Sequence, residues 1–209
     1  MAVSGITLHI GDLSAAARDR YGDRIAVDTE TLGLNPHRDR LCVVQLSPGD
    51  GTADVVKIER GQKRAPNLAA LLRDRSKTKI FHYGRFDIAV LEHGLGVTAN
   101  PVFCTKIASR LTRTYTDRHG LKDLCRELLD VDLSKQQQSS DWGADTLSEA
   151  QLAYAASDVL HLHRLMDVLV GRLEREGRTK VARECFRFLP TRARLDLMGW
   201  ADEDIFAHS

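Results

Sequence analysis

Nowhere in the 209 residues do about eighteen apolar residues stand together, the length that a membrane-spanning helix needs. The first eleven residues mix polar and apolar side chains, with no basic run ahead of an apolar one, so no export signal is expected. An excess of one charge is missing too: 30 lysines and arginines meet 29 aspartates and glutamates, for a formal net charge of +1. So balanced a chain has no overall field to draw in a long polyanion, and any nucleic-acid site must be local. The four cysteines, Cys42, Cys104, Cys125 and Cys185, form no CxxC pair. That weighs against a disulfide framework or a zinc site and favours reduced, buried thiols. There is no internal repeat and no low-complexity linker. The expectation is a single domain over residues 1–209, working in the cytoplasm without a membrane, with 43% hydrophobic residues to build its core.

What is present has an α/β rhythm. Ile6, Leu8 and Ile10 alternate as in a short strand, and Asp12 or Ser14 could cap a following helix. Residues 24–29 (RIAVDT), 40–47 (RLCVVQLS) and 52–58 are short β-branched runs broken by turn residues, which predicts an antiparallel meander. Helical spacing over 66–75, a strand at 79–82 and a helix over about 85–92 follow. After a short strand at 102–104 the pattern is helical, over 105–111, 121–129, 147–174 and 179–188. The polar segment 134–140 (SKQQQSS) is expected to be an ordered loop or lid.

Three groups of residues carry chemistry. Asp28 and Glu30 end an apolar strand one residue apart, and the period of two puts both carboxylates on one face. Asp87 stands where a strand gives way to a helix, near the helix N-terminal dipole. Tyr154 and Asp158 are four apart on a helix and so share a face, with small alanines between them. Each group taken alone has an ordinary reading: a turn cap, a first-turn aspartate, a tyrosine–aspartate contact.

Together, in this order, DxE, a later Asp and YxxxD resemble the DEDD superfamily of 3′–5′ exonucleases in its tyrosine subgroup. The segments LSK, QSSDW and YAASDV narrow the likeness to ribonuclease D, and VDTETLGL, KIFHYGRFD and SKQQQSSDW to its compact nano-RNase relatives. The resemblance implies an α/β ribonuclease H-like (DnaQ-like) fold, a mixed sheet flanked by helices, without the accessory helical domains of ribonuclease D. It implies that Asp28, Glu30, Asp87 and Asp158 hold two Mg2+ or Mn2+ ions per active site, hard cations that suit oxygen ligands. Tyr154 would orient the attacking water, since an unperturbed tyrosine is a poor base at neutral pH. The implied substrate is very short RNA, dinucleotides above all, cut to 5′-mononucleotides by a homo-oligomer that is ring-shaped in the nano-RNases. Trimming of longer RNA or DNA ends is the alternative, and a non-catalytic nucleic-acid-binding module the remoter one.

Thr31, Leu32, Gly33 and His82 are the expected substrate contacts, with Leu32 as a wedge between bases; a core leucine and a core histidine are the competing readings. Two departures from the ribonuclease D pattern stand out: Gly143-Ala144-Asp145 where Arg-Pro usually follows SDW, and Tyr83 where asparagine usually follows the histidine. Arg110, Arg113, Arg118, His119 and Lys122 could grip phosphates, line a subunit boundary or form a solvated face. Trp142 is expected to plug the sheet–helix interface. His161 and His163 diverge on a helix and make a poor metal pair. Leu195, Leu197, Met198, Trp200, Ile205 and Phe206 form an apolar tail that a monomer must fold back or expose.

Overall fold

A computed structural model of the chain describes residues 5–134, 136–137 and 139–208. Its centre is a six-stranded sheet in the order β1-β4-β3-β2-β5-β6. β2 (Arg24–Thr31), β3 (Leu41–Ser47) and β4 (Ala53–Lys57) form the expected antiparallel meander of strands carrying β-branched residues, with a longer connection over 32–40 and a short one over 48–52. β1 (Ile6–Ile10) adds parallel to β4, and β5 (Thr78–Phe81) and β6 (Val102–Cys104) add in parallel beside β2. The sheet is therefore mixed, with helices on both faces, as expected of the ribonuclease H-like fold.

The connecting segments begin with α1 (Ala15–Asp19), α2 (Pro66–Arg73) and α3 (Arg85–Leu95). Ser14 caps α1 through a bond from the Ala17 N–H. Asp12, the other candidate, reaches elsewhere: its two oxygens accept the Asn67 and Leu68 N–H groups at 2.9 and 3.0 Å, capping α2 from across the chain. α4 (Thr105–Thr112) and α5 (Leu121–Leu129) come next.

Two helical expectations need correction. The single helix over 147–174 is two, α6 (Glu149–Leu160) and α7 (Leu162–Arg175), broken at His161 with φ −104° and ψ −6°. The break lets α6 lie on the sheet at β2, β3 and β4 while α7 redirects to pack on β2, β5, α4 and α5. The last helix, α8 (Thr179–Leu195), runs past Phe188 and through Pro190. Proline usually stops a helix, but here Leu189, Pro190 and Ala193 are all buried, and that packing carries the helix onward.

Beyond α8 a π-helical turn, Asp196–Trp200, is tied back to the sheet layer. Arg85, in the first turn of α3, donates to both oxygens of Asp196 at 2.6 and 2.7 Å and to the carbonyl of Ala201 at 2.6 Å. The apolar tail divides: Leu197 packs against the core, while Met198 and Phe206 are exposed, at 61% and 76%. Among the described residues no helix is long and apolar enough to cross a membrane.

Candidate active site

The register of the meander places Asp28 opposite Gln45 and Glu30 opposite Val43, so these four side chains share one face of the sheet. α6 covers that face. Ala155 packs with Val43, Val55, Trp142 and Leu147 in a small apolar cluster, and the alanine lets the helix come close enough for Asp158, one turn on, to meet the strand acids. Carboxylate oxygens of Asp28, Glu30 and Asp158 lie within 4.8 Å of one another. Tyr154, on the same face of α6, donates its hydroxyl to Asp158, and Trp142 holds its ring edge with centroids 6.0 Å apart. Trp142 is 2% exposed, which bears out its reading as a plug between helix and sheet.

Asp87 reaches the group from the other side of β2. Thr29 alternates to the opposite face from its two acidic neighbours, and its hydroxyl donates to Asp87 Oδ1 at 2.7 Å. Asp87 is only 4% exposed and stands behind the wall of the cleft, outside the tight group of three. Asp28 lies between the two sides, since the charges of Asp87, Asp158 and Glu30 all act on it.

Without a cation these acids resist ionisation. Burial, then the charges of Asp87 and Asp158, hold the Asp28 carboxyl far above the usual carboxylate range. Burial and the Asp158 charge push Glu30 up to about 9. Asp87 and Asp158 are raised as well, chiefly by burial, each offset by the hydroxyl that donates to it, Thr29 or Tyr154. The Tyr154 phenol is itself raised by burial and by Asp158, so the structure removes it further from service as a base. An all-oxygen donor set of this charge fits a hard divalent cation, which would offset the burial that raises all four acids and the repulsion that adds to it at Asp28, Glu30 and Asp158.

A cleft of about 720 Å3 opens over this floor. Its rim includes Thr31, Leu32, Gly33 and His82, so all four expected substrate contacts border it together with the three clustered acids and Tyr154. Leu32 is 53% exposed, which excludes the core reading. Gly143 explains why: a Cβ there would stand 2.7 Å from Leu32 Cδ2, so a larger residue would displace the leucine. The Gly143 carbonyl accepts from Arg40, which fixes the glycine beside it. Thr31 is turned inward, its hydroxyl donating to the Gly33 carbonyl at 2.5 Å.

His82 Nδ1 and Thr105 Oγ1 are hydrogen-bonded at 2.9 Å, and Thr105 Oγ1 also lies 3.2 Å from the Phe81 carbonyl; donation by Thr105 to that carbonyl would make Nδ1–H the donor and leave Nε2 as the bare acceptor. Burial, with Lys106 and His119 nearby, lowers the imidazole to about 3, so the ring is neutral at physiological pH.

The sequence reading missed Lys106 at the cleft and noted Tyr83 only as a departure from the ribonuclease D pattern. Tyr83 has φ +65°, a left-handed conformation rare for a bulky side chain, and Lys106 stands over its ring at 4.2 Å. No periodicity signals either feature. Of the basic run, Lys122 borders the cleft, whereas Arg113 is completely buried and ion-paired with Glu127 while donating to the Ser109 hydroxyl and the Arg118 carbonyl. Arg113 thus braces a loop, a role none of the three readings of that run foresaw. His163 is buried, with its Nε2 3.2 Å from the Arg24 carbonyl. Ser134, Ser139 and Ser140 also border the cleft; Lys135 and Gln138 of that segment lie outside the described residues.

Comparison with known proteins accords with this geometry. Ribonuclease D of Gluconacetobacter diazotrophicus and that of Acidiphilium cryptum are each 36% identical over 154 residues, 74% of this chain. The chain spans 39% of the length of these relatives. Escherichia coli RNase D, described as an exoribonuclease involved in structured RNA processing, shares 26% identity with a TM-score of 0.77, over 90% of this chain and 51% of that one. Brucella melitensis NrnC with bound Mg2+ is 69% identical, covering 98% of this chain and 99% of that one, with a TM-score of 0.93. The same protein bound to pGG is 70% identical over 98% of each chain, with a TM-score of 0.94. With residues 12–174 also matching the 3′–5′ exonuclease model, the chain belongs to the 3′–5′ exonuclease family, on the branch that includes NrnC.

Proposed function

We propose that this chain is a divalent-cation-dependent 3′–5′ exoribonuclease that cuts very short RNA, dinucleotides above all, to 5′-mononucleotides, acting as one catalytic domain. The observation that carries the proposal is the convergence of Asp28, Glu30 and Asp158 within 4.8 Å on the floor of a cleft, with Asp87 behind them. In this reading Asp28, Glu30, Asp87 and Asp158 would hold two ions, Mg2+ or Mn2+. The bound ions supply acidification of a water and stabilisation of the leaving 3′ oxygen. Tyr154 keeps its proton and orients that water. Leu32 wedges against the terminal base, Thr31 and Gly33 shape the turn that presents it, and His82 Nε2 accepts from a sugar hydroxyl, since a neutral ring cannot pair with phosphate as a cation would.

The Brucella structure bound to pGG, at 70% identity, supports the short-RNA substrate. So does charge: a chain of net charge +1 has few means of gripping a long backbone, whose binding relies on many basic contacts. A broader end-trimming activity on longer RNA or DNA has its own support in the ribonuclease D relatives. A single-turnover time course on end-labelled two-, five- and twenty-nucleotide RNAs and DNAs separates them. The dinucleotide should be cut at least as fast as longer RNA; much faster decay of twenty-mers would install the trimming reading instead.

The exposed Met198, Trp200, Ile205 and Phe206 support a homo-oligomer, ring-shaped in the fullest form of the proposal, acting in the cytoplasm. Light scattering that finds only a 23.3 kDa species at micromolar concentration would reject the assembly.

A further inference from the structure

Gln45 is the one amide in a strand that is otherwise apolar until Ser47, and its side chain is completely buried. The antiparallel register sets it directly opposite Asp28, on the face that α6 covers. Its Nε2 donates to Asp28 Oδ2 at 3.4 Å, a long bond that restrains the carboxylate loosely. Its Oε1 is buried and has no hydrogen-bond partner among the described residues. Folding rarely retains an unsatisfied acceptor in a core strand, because an apolar side chain of the same size would avoid the desolvation cost. Val43 and Val55, which flank Gln45 on the same face, show what the position would hold if packing were the sole requirement.

From this we propose that Gln45 is a positioning residue for the cation site: its amide N–H orients Asp28, and its carbonyl oxygen accepts from a water that a divalent cation brings with it. The inference rests on the reading that Asp28, Glu30 and Asp158 bind such a cation. An outer partner of this kind acts through the ligand it holds, and its loss weakens metal affinity without removing a ligand. The orphaned acceptor is then the cost of a site that is complete only when loaded.

The test is Mn2+ binding to the wild-type chain, to Asp28→Asn and to Gln45→Leu, followed by the electron paramagnetic resonance of free Mn2+, alongside thermal melts in chelator. Gln45→Leu should bind Mn2+ about tenfold more weakly. Its metal-free melting temperature should equal or exceed that of the wild type, since the variant loses a buried orphan. Unchanged Mn2+ affinity in the folded variant overturns the proposal and leaves Gln45 a scaffold residue. If Gln45→Leu does not fold, Gln45→Asn keeps the amide but shortens its reach, and the same loss of affinity is expected. Failure of the wild type itself to bind Mn2+ would overturn the underlying site reading, a result distinct from equal binding by wild type and variant.

Discussion

Asp28→Asn removes one charge from the centre of the acidic group while keeping shape and hydrogen-bonding capacity, and so isolates electrostatics from packing. Two ionised carboxylates 4.8 Å apart repel by about 3.5 kcal/mol at an effective dielectric of about 20. Asp28 has two such neighbours in Glu30 and Asp158, with Asp87 adding to them. With every carboxyl ionised, these two contacts together cost about 7 kcal/mol. Proton uptake by the raised carboxyls relieves much of it, leaving about 2–4 kcal/mol near neutral pH. At about 2–4 °C per kcal/mol for a domain of this size, the metal-free variant should melt about 5–15 °C higher than the wild type. Mn2+ should reverse the order: it stabilises the wild type by about 2.7 kcal/mol at one hundred times its dissociation constant and the variant by far less. Turnover of a dinucleotide should vanish although the fold is intact. Calorimetry in chelator and in Mn2+, with a product assay on the same samples, checks all three. A variant that melts at or below the wild type without metal, or gains as much from Mn2+, would refute the argument that the acids are assembled to hold a cation.

Tyr154→Phe keeps the ring against Trp142 and removes only the hydroxyl, so kcat should fall about 10–100-fold while Mn2+ binding persists; an unchanged kcat would show that the hydroxyl does not act on the water. Leu32→Ala should raise the KM for a dinucleotide about 10-fold, from the loss of about 1.5 kcal/mol of apolar contact, with no change in melting temperature because the side chain is half exposed; a lower melting temperature with KM intact would restore the core reading. The pH dependence has a definite sign. A carboxyl held at about 9 in the fold instead of the usual 4.5 binds its proton more tightly folded than unfolded, so its contribution to stability is fully present below pH 4.5 and is lost as pH rises to 9. Metal-free melting temperatures should decline across that window and Mn2+ should flatten the decline; a rise would contradict the raised Glu30.

The fold was legible wherever local pattern and tertiary demand agree. The meander, the paired carboxylates of β2 and the Tyr154–Asp158 face follow from periods of two and 3.6, and the structure keeps them all. What was hidden depends on partners far along the chain. Nothing near His161 announces a break, because the break serves what each half packs on. The helix that the pattern bounded at 188 runs on through Pro190, because burial of Leu189, Pro190 and Ala193 outweighs the local preference of proline. The side from which Asp87 enters was also unreadable, since it is set by Thr29, fifty-eight residues earlier. Gln45 did carry a signal, a lone amide within a hydrophobic run, but strand pairing was needed to show that Asp28 stands across from it.

The bonds from Arg85 to Asp196 and Ala201 bear on all of this. Asp87 sits two residues beyond Arg85, so the start of α3 is moored at both ends of its first turn, by Thr29 from the sheet and by Asp196 and Ala201 from the far C-terminal side. A bidentate guanidinium–carboxylate pair resists sliding as well as separation. Axial drift of the helix, which would carry Asp87 away from Asp28, therefore has to break an anchorage supplied by residues that never touch the cleft. Trimming the chain before residue 196 would leave every acid in place in the sequence and yet remove one of the two moorings of the helix that carries Asp87.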